Sequence, residues 1–127
     1  ENMRTEVEFL GIVSSKELPK ILNQSGIYIL PSKFEGMPKT LLEAMSTGRA
    51  CIGSDVIGIN NIIDNQKDGL LCGTDVDGIA SSINKLFKDD NLRENIKKNA
   101  RKKIIEQYSI DIVAEKELSY YKLLLEN

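Results

Sequence analysis

The sequence predicts an α/β domain built on a parallel sheet of about four strands, with flanking helices and a helical C-terminus. Short apolar runs without polar alternation, typical of strands buried on both faces, recur along the first 72 residues. Segments with helical periodicity separate these runs, an alternation that indicates parallel strands joined by crossovers. After Gly73 the patterns are helical only, so we expect the strands to precede a helical tail.

Four segments have the character of buried strands. Each is short and largely aliphatic, and glycine, proline or polar residues bound it. These segments are VEFLG at 7–11, GIYIL at 26–30, ACIGS at 50–54 and GLLC at 69–72.

Capping residues and periodicity predict the helices. Ser14 or Ser15 is the expected N-cap of the first helix, while Pro38 in the first turn and Gly48 at the end delimit the second. The predicted helices are 14–24, 38–48, a short one at 60–65, 75–89, 91–109 and 111–126. The helix at 75–89 is amphipathic, and its apolar face comprises Ile79, Ile83, Leu86 and Phe87.

Composition and charge exclude several functions. The 127 residues are 41% hydrophobic and 28% charged, as in an ordinary soluble domain. The net charge of -2 argues against nucleic-acid binding driven by bulk charge. No apolar run approaches the roughly 20 residues of a membrane helix, and no signal-peptide pattern is present. Because the sequence has no histidine, catalysis must use carboxylates, lysines, backbone dipoles or a bound partner.

The two cysteines, Cys51 and Cys72, lie in strand-like apolar runs. We expect two small buried side chains with free thiols, which fits a reducing, cytoplasmic setting.

Three predicted loops lie at the carboxyl ends of strands, where open parallel sheets bind ligands. These are 12–14, 31–37 and 54–58. The second loop leads through Gly36 into a first helical turn at Met37, Pro38, Lys39 and Thr40. Free amides and the positive end of the helix dipole suit a phosphate there, and Lys39 could add a charge.

Two glutamates bracket this turn. Glu43 lies little more than one turn into the helix, and an ionised carboxylate suits the vicinal hydroxyls of a ribose. Glu35 lies on the loop, where it could reach sugar hydroxyls. The alternative is that both are solvated surface charges, with Glu35 favouring the helix N-terminus.

Two other charged motifs have simpler interpretations. Asp75-Val76-Asp77 could suggest a metal site, but it follows a strand and opens a helix, so we interpret it as an N-cap with a first-turn charge. The basic run of Lys97, Lys98, Arg101, Lys102 and Lys103 alternates with apolar and acidic residues. It predicts a solvated helix face, with a membrane-surface contact as the alternative.

The stretch PSKFEGMPKTLLEAM at 31–45 resembles the E-x7-E signature of retaining glycosyltransferases. It is most similar to the large GT-B family known as family 4, or glycosyl transferases group 1. VEFLG at 7–11, GRACIGSD at 48–55, DGLL at 68–71 and Tyr108-Ser109 also resemble family segments in the same order. One departure is Ile57-Gly58 in place of Gly-Gly, which leaves the backbone less free to approach a ligand.

The resemblance implies a Rossmann-like fold and a role for each site residue. Glu35 acts at the transferred sugar, and no metal or other cofactor is expected. The implied donor-binding residues are Ile12, Val13 and Ser14 at the nucleobase, Gly36 and Met37 at the sugar, the first turn from Pro38 through Lys39, Thr40 and Leu41 at the diphosphate, and Glu43 at the ribose.

The resemblance covers only the latter part of the family's C-terminal, donor-binding domain. We therefore expect a fragment that lacks the N-terminal acceptor domain and the upstream Arg and Lys that hold the diphosphate, and that does not turn over alone. The expected partners are a nucleotide-sugar, a glycan, lipid or small acceptor, and the missing domain, without nucleic acid. The expected location is the cytoplasm, with the inner face of the membrane as an open alternative.

Two other functions stay open. One is a free-standing flavodoxin-like binding or signalling module without catalysis, although the first predicted strand lacks the acidic cluster of a receiver. The other is a structural partner domain, which the apolar residues of the last helix favour because they could pack on a missing domain: Ile112, Leu118, Tyr121 and Leu124.

Overall fold

A computed structural model of the protein describes residues 7–125. Within these residues, three strands form one parallel sheet in the order β1, β2, β3. The strands are β1 at Ile27–Leu30, β2 at Ala50–Ser54 and β3 at Leu70–Cys72. The helices are α1 at Leu18–Gln24, α2 at Lys39–Ser46, α3 at Val76–Lys88, α4 at Asp90–Lys103, a π-helix at Ile104–Tyr108 and α5 at Ile110–Leu125. The predicted α/β architecture with a helical C-terminus is therefore confirmed.

Strand β2 is the centre of the sheet. It pairs with β1 from Ile27↔Ala50 to Leu30↔Gly53, and with β3 from Ile52↔Leu70 to Ser54↔Cys72. All five of its residues are buried, which explains why its sequence lacks polar alternation. Since all three strands are parallel, their carboxyl ends meet at one edge of the sheet.

The core consists of two apolar clusters, one on each face of the sheet. Cys51 packs with Leu41 and Met45 of α2 on one face, and Ile52 packs with Leu86 of α3 on the other. Burying one such large side chain stabilises the fold by about 1.5–3 kcal/mol. Helix α4 contributes to both clusters, through Ile96 on one face and Ala100 on the other.

The cysteine prediction is confirmed. Cys51 and Cys72 are both buried and free. Burial raises the pKa of Cys51 to about 12, which keeps its thiol protonated and unreactive.

The predicted strand at 7–11 is wrong, and the sheet has three strands in the described part of the chain. The segment has no regular structure, and Phe9 is 93% exposed. A strand needs a partner for its backbone groups, and no described strand pairs with this segment.

The predicted helix at 60–65 is also wrong. Turns occupy this segment, with Asn60 N donating to Val56 O and Ile62 N to Ile59 O. Asp64 N donates to the side chain of Asp68, and Asn65 forms an isolated bridge with Gly69, so the end of the segment does not follow a helical hydrogen-bond pattern.

The remaining helices differ from prediction mainly at their ends. Helix α1 begins at Leu18, because the residues from Ser14 form a hydrogen-bonded turn first. The long helix predicted at 91–109 becomes a π-helix after Lys103, and Glu126 of the last one lies outside the described residues. On α3, Phe87 is 71% exposed because only Leu86 faces the core at this turn. No helix between residues 7 and 125 combines the length and apolarity needed to span a bilayer.

Candidate active site

The N-terminal end of α2 lies at the carboxyl edge of the sheet, directly after the loop that leaves β1. Pro38 is the N-cap in an extended conformation, and its carbonyl accepts from the amides of Leu41 and Leu42. No carbonyl of the described chain accepts from the amides of Lys39 or Thr40. These two donors are therefore available to an anion.

The two glutamates of the loop and helix differ in how they are held. Glu35 is half-buried, and its Oε1 accepts from Ser32 Oγ at 2.6 Å. Glu43 is the fifth residue of α2 and is exposed. Its carboxylate makes no side-chain hydrogen bond within residues 7–125, so it can accept from a ligand.

Tyr28 is a further residue of the site that the sequence did not predict. Its hydroxyl donates to Thr40 Oγ1 at 2.8 Å. Burial raises the pKa of the Tyr28 phenol, and the negative charges of Glu35 and Glu43 raise it further. The phenol therefore stays protonated at neutral pH, within electrostatic range of both carboxylates. The only sequence signal was a polar group in an otherwise aliphatic strand.

The loops after β1 and β2 lie at the carboxyl ends of the strands, as expected, and there they meet backbone to backbone. A Cβ on Gly58 would lie 2.4 Å from the carbonyl oxygens of both Glu35 and Gly36. Only glycine permits this approach. Gly36 differs, since a Cβ there would meet nothing within 4 Å. The space beside Gly36 is open to a ligand.

The loop at Ile12, Val13 and Ser14 lies at the same end of the sheet but makes fewer interactions with the rest of the site. Only Ser25 and Gly26 separate α1 from β1, so α1 must run back across the sheet and its N-terminal loop lies at the carboxyl edge. Ile12 is fully exposed, and Ser14 Oγ donates to Glu17 at 2.7 Å. No side-chain hydrogen bond of the described chain joins this loop to residues 35–43.

The predicted donor-binding residues Met37, Pro38 and Leu41 differ from one another in how exposed they are to solvent. Met37 is 62% exposed beside Gly36. Pro38 is buried, and the Leu41 side chain is fully buried in the core. Because the Leu41 amide already donates to Pro38 O at 3.1 Å, the first-turn amides left for a ligand are those of Lys39 and Thr40.

Asp75 is an N-cap, as predicted. Its Oδ1 accepts from Gly78 N at 2.8 Å, and this hydrogen bond lowers the pKa of the Asp75 carboxyl. Asp77 lies exposed in the first turn of α3. Among residues 7–125, no group of three or more histidine, cysteine, aspartate or glutamate side chains could hold a metal ion. The metal-free site remains a prediction.

The basic run is only partly a solvated face. Lys97 pairs with Glu94 at 2.8 Å and Lys102 with Glu106 at 3.8 Å, both on the helix surface. Lys103 corrects the prediction, because its side chain is only 11% exposed. Its ammonium group donates to Asp68 at 2.9 Å and to the carbonyl of Ile62, which joins the end of α4 to the segment before β3.

Comparison with known proteins decides the family. Residues 1–103 match the family described as glycosyl transferases group 1. The chain belongs to this family. It is 41% identical over 111 residues to a UDP-Gal:alpha-D-GlcNAc-diphosphoundecaprenol alpha-1,3-galactosyltransferase of Escherichia coli, an alignment that covers 86% of the chain and 28% of the relative.

Solved structures of glycosyltransferases have the same fold. Sucrose-phosphate synthase from Thermosynechococcus elongatus superposes with a TM-score of 0.91 at 23% identity, over 98% of this chain and 32% of that one. The Staphylococcus aureus protein TarM, in complex with fondaparinux, alpha-GlcNAc-glycerol and UDP, gives a TM-score of 0.81 at 28% identity, over 93% and 24% of the two chains.

Glycosyl transferases group 1 is an enzyme family, which favours the transferase interpretation over a flavodoxin-like module or a purely structural domain. The chain spans about a third or less of the length of the curated relatives it matches, from 28% to 33% for four of them.

Proposed function

We propose that this chain is the donor-binding part, within the C-terminal domain, of a GT-B retaining glycosyltransferase of family 4. The enzyme would transfer a hexose from a nucleotide diphosphate-sugar to a glycan, lipid or small-molecule acceptor. One observation carries this proposal: the exposed carboxylate of Glu43 and the half-buried carboxylate of Glu35 flank a helix N-terminus whose first two amides have no described backbone acceptor.

Each group has a proposed role in donor binding. Glu43 accepts hydrogen bonds from the two ribose hydroxyls, because an ionised carboxylate is purely an acceptor. The amides of Lys39 and Thr40 hold the diphosphate, aided by the dipole of α2. Glu35, fixed by Ser32, accepts from hydroxyls of the transferred sugar beside Gly36 and Met37. Ile12, Val13 and Ser14 lie against the nucleobase, and Pro38 and Leu41 anchor the first turn to the core.

The proposed chemistry occurs on one face of the sugar. The bond between the anomeric carbon and the diphosphate oxygen breaks, and the acceptor hydroxyl forms its bond from the same side. The acceptor's proton passes to the departing diphosphate oxygen. Amides directed at the diphosphate stabilise the charge that develops there, and Glu35 positions the sugar for this transfer.

The acceptor and location follow from the same proposal. The Escherichia coli relative has a lipid-linked diphosphate acceptor by name, which supports a lipid-linked acceptor and a location close to a membrane. A cytoplasmic location, with the inner face of the membrane as the alternative, is part of the same proposal. A second domain would supply the acceptor site, and no metal would take part.

An NMR titration of the 127-residue chain with UDP, GDP and UDP-glucose, without metal, tests the proposal. We expect shifts at residues 11–14 and 35–43. Glu43→Gln should weaken nucleotide binding about tenfold, because the charge is removed and one of the two acceptor oxygens is replaced by an amide that only donates. Glu115→Gln, an exposed change on α5, is the matched control and should bind normally. Nucleotide binding that leaves residues 35–43 unshifted, or no binding at millimolar ligand, would contradict the proposal.

A further inference from the structure

The hydroxyls of Tyr28 and Thr40 form a hydrogen bond at the first turn of α2, beside the amides proposed to hold the diphosphate. Tyr28 lies on β1, and its side chain packs against the cluster on the α2 face of the sheet. Its hydroxyl donates to Thr40 Oγ1 at 2.8 Å across twelve positions of sequence. Thr40 is the second residue of α2, and its side chain is exposed at the edge of the sheet.

A hydroxyl has one proton to donate and can also accept. When Tyr28 donates to Thr40 Oγ1, the proton of Thr40 is left to another acceptor. No side-chain hydrogen bond donated by Thr40 is present in the described chain. The amides of Lys39 and Thr40, which would hold an anion, belong to the same turn.

We infer that Tyr28 is a positioning residue for the donor diphosphate: by donating to Thr40 Oγ1, it directs the Thr40 proton toward a diphosphate oxygen. This inference rests on the proposed function and adds a residue to it. Tyr28 itself touches no substrate. It acts through Thr40, whose hydroxyl joins the first-turn amides in a single anion-binding group.

Three substitutions test whether Tyr28 acts through Thr40 on the diphosphate rather than on the rest of the nucleotide. The probes are UDP or GDP, whichever binds the unaltered chain more tightly, and the matching nucleoside without phosphates. Thr40→Val should weaken nucleotide binding about tenfold, because it removes a hydrogen bond to a charged group. Tyr28→Phe should weaken it about fourfold, because the hydroxyl of Thr40 remains but is no longer oriented toward the diphosphate. Nucleoside binding should change less than twofold in both. Thr40→Ser keeps the hydroxyl and should bind nearly normally.

The double variant Tyr28→Phe with Thr40→Val should bind the nucleotide no more weakly than Thr40→Val alone, because Tyr28 acts through Thr40. Tyr120→Phe, which removes an exposed hydroxyl on α5, is the matched control. Circular dichroism and thermal melting verify that each variant is folded.

One result would contradict the inference alone, and a different result would contradict the proposed function as well. If Tyr28→Phe leaves nucleotide binding unchanged, or weakens nucleotide and nucleoside equally, Tyr28 has no role at the diphosphate while the donor site stands. If the unaltered chain binds no nucleotide, the proposed function fails and the inference fails with it.

Discussion

At the scale of single residues, Gly58 sets how closely the two loops of the site approach. Its φ is +95°, and a Cβ added to it would lie only 2.4 Å from the carbonyl oxygens of Glu35 and Gly36, so the site has no room for a side chain. We expect Gly58→Ala to destabilise the protein by about 2–4 kcal/mol, since backbone strain and overpacking add. Urea unfolding followed by circular dichroism measures this, because the chain has no tryptophan.

Gly36→Ala is the matched control for this prediction. Gly36 lies in the same contact, but a Cβ there would meet nothing within 4 Å. The free energy of unfolding of Gly36→Ala should differ from that of the unaltered chain by less than about 0.5 kcal/mol. Equal losses in the two variants would show that the backbone contact at Gly58 is not the cause.

Some residues of the site can be predicted from the sequence, and others cannot. Glu35 and Glu43 belong to one continuous loop and helix, so their spacing, together with the resemblance to the E-x7-E signature, predicts a shared site. The bond from Tyr28 to Thr40 and the contact of Gly58 with Glu35 join separate stretches of chain. Neither has a local pattern, so only the folded structure reveals it.

At the scale of elements, Lys103 joins the end of α4 to the segment before β3. It pairs with Asp68, whose side chain is 3% exposed, and lies 3.2 Å from Asp64. Lys103→Met should cost about 3 kcal/mol, because a buried carboxylate loses its charged partner. Lys67→Met is the control, since its pair with Asp64 is exposed and contributes less than about 1 kcal/mol.

The pH dependence of this pair has a definite sign. Burial opposes the charge of Lys103, yet hydrogen bonds with Asp68 and Asp64 outweigh it and raise the pKa of Lys103. A raised pKa gives stability that is complete below the unfolded pKa of about 10.4 and is lost as pH rises through the folded value. The gap in unfolding free energy between Lys103→Met and the unaltered chain should therefore be equal at pH 7 and pH 9. A gap that shrinks over this range would contradict the assignment.

The elements also explain which strands the sequence predicts correctly and why the strand predicted at 7–11 is wrong. The runs at β1, β2 and β3 were predicted to within a residue or so, because burial on both faces leaves a direct apolar signature. VEFLG at 7–11 has the same signature but no described partner strand. The ion pair of Lys103 spans 35 residues, so the basic run gave no sign of it.

At the scale of the whole molecule, stability should fall from the central strand outward. Every residue of β2 is buried between two strands, whereas no residue of α5 is buried. We expect amide hydrogen exchange in β2 to require global unfolding and to be at least about a hundredfold slower than in α5. Exchange measured by mass spectrometry or NMR tests this, with α3 as an intermediate reference. Equal protection of β2 and α5 would contradict it.

The contact between Gly58 and the backbone of Glu35 and Gly36 also limits how this protein can be redesigned or can diverge. Because the main chains of the two loops are in contact, neither loop tolerates inserted or deleted residues. The lengths of both loops are therefore constrained by the same contact. Variation is left to the side chains at the rim, where Phe34, Met37 and Ile57 are 84%, 62% and 77% exposed. Libraries that aim to change donor preference should randomise these three positions and leave the loop lengths alone.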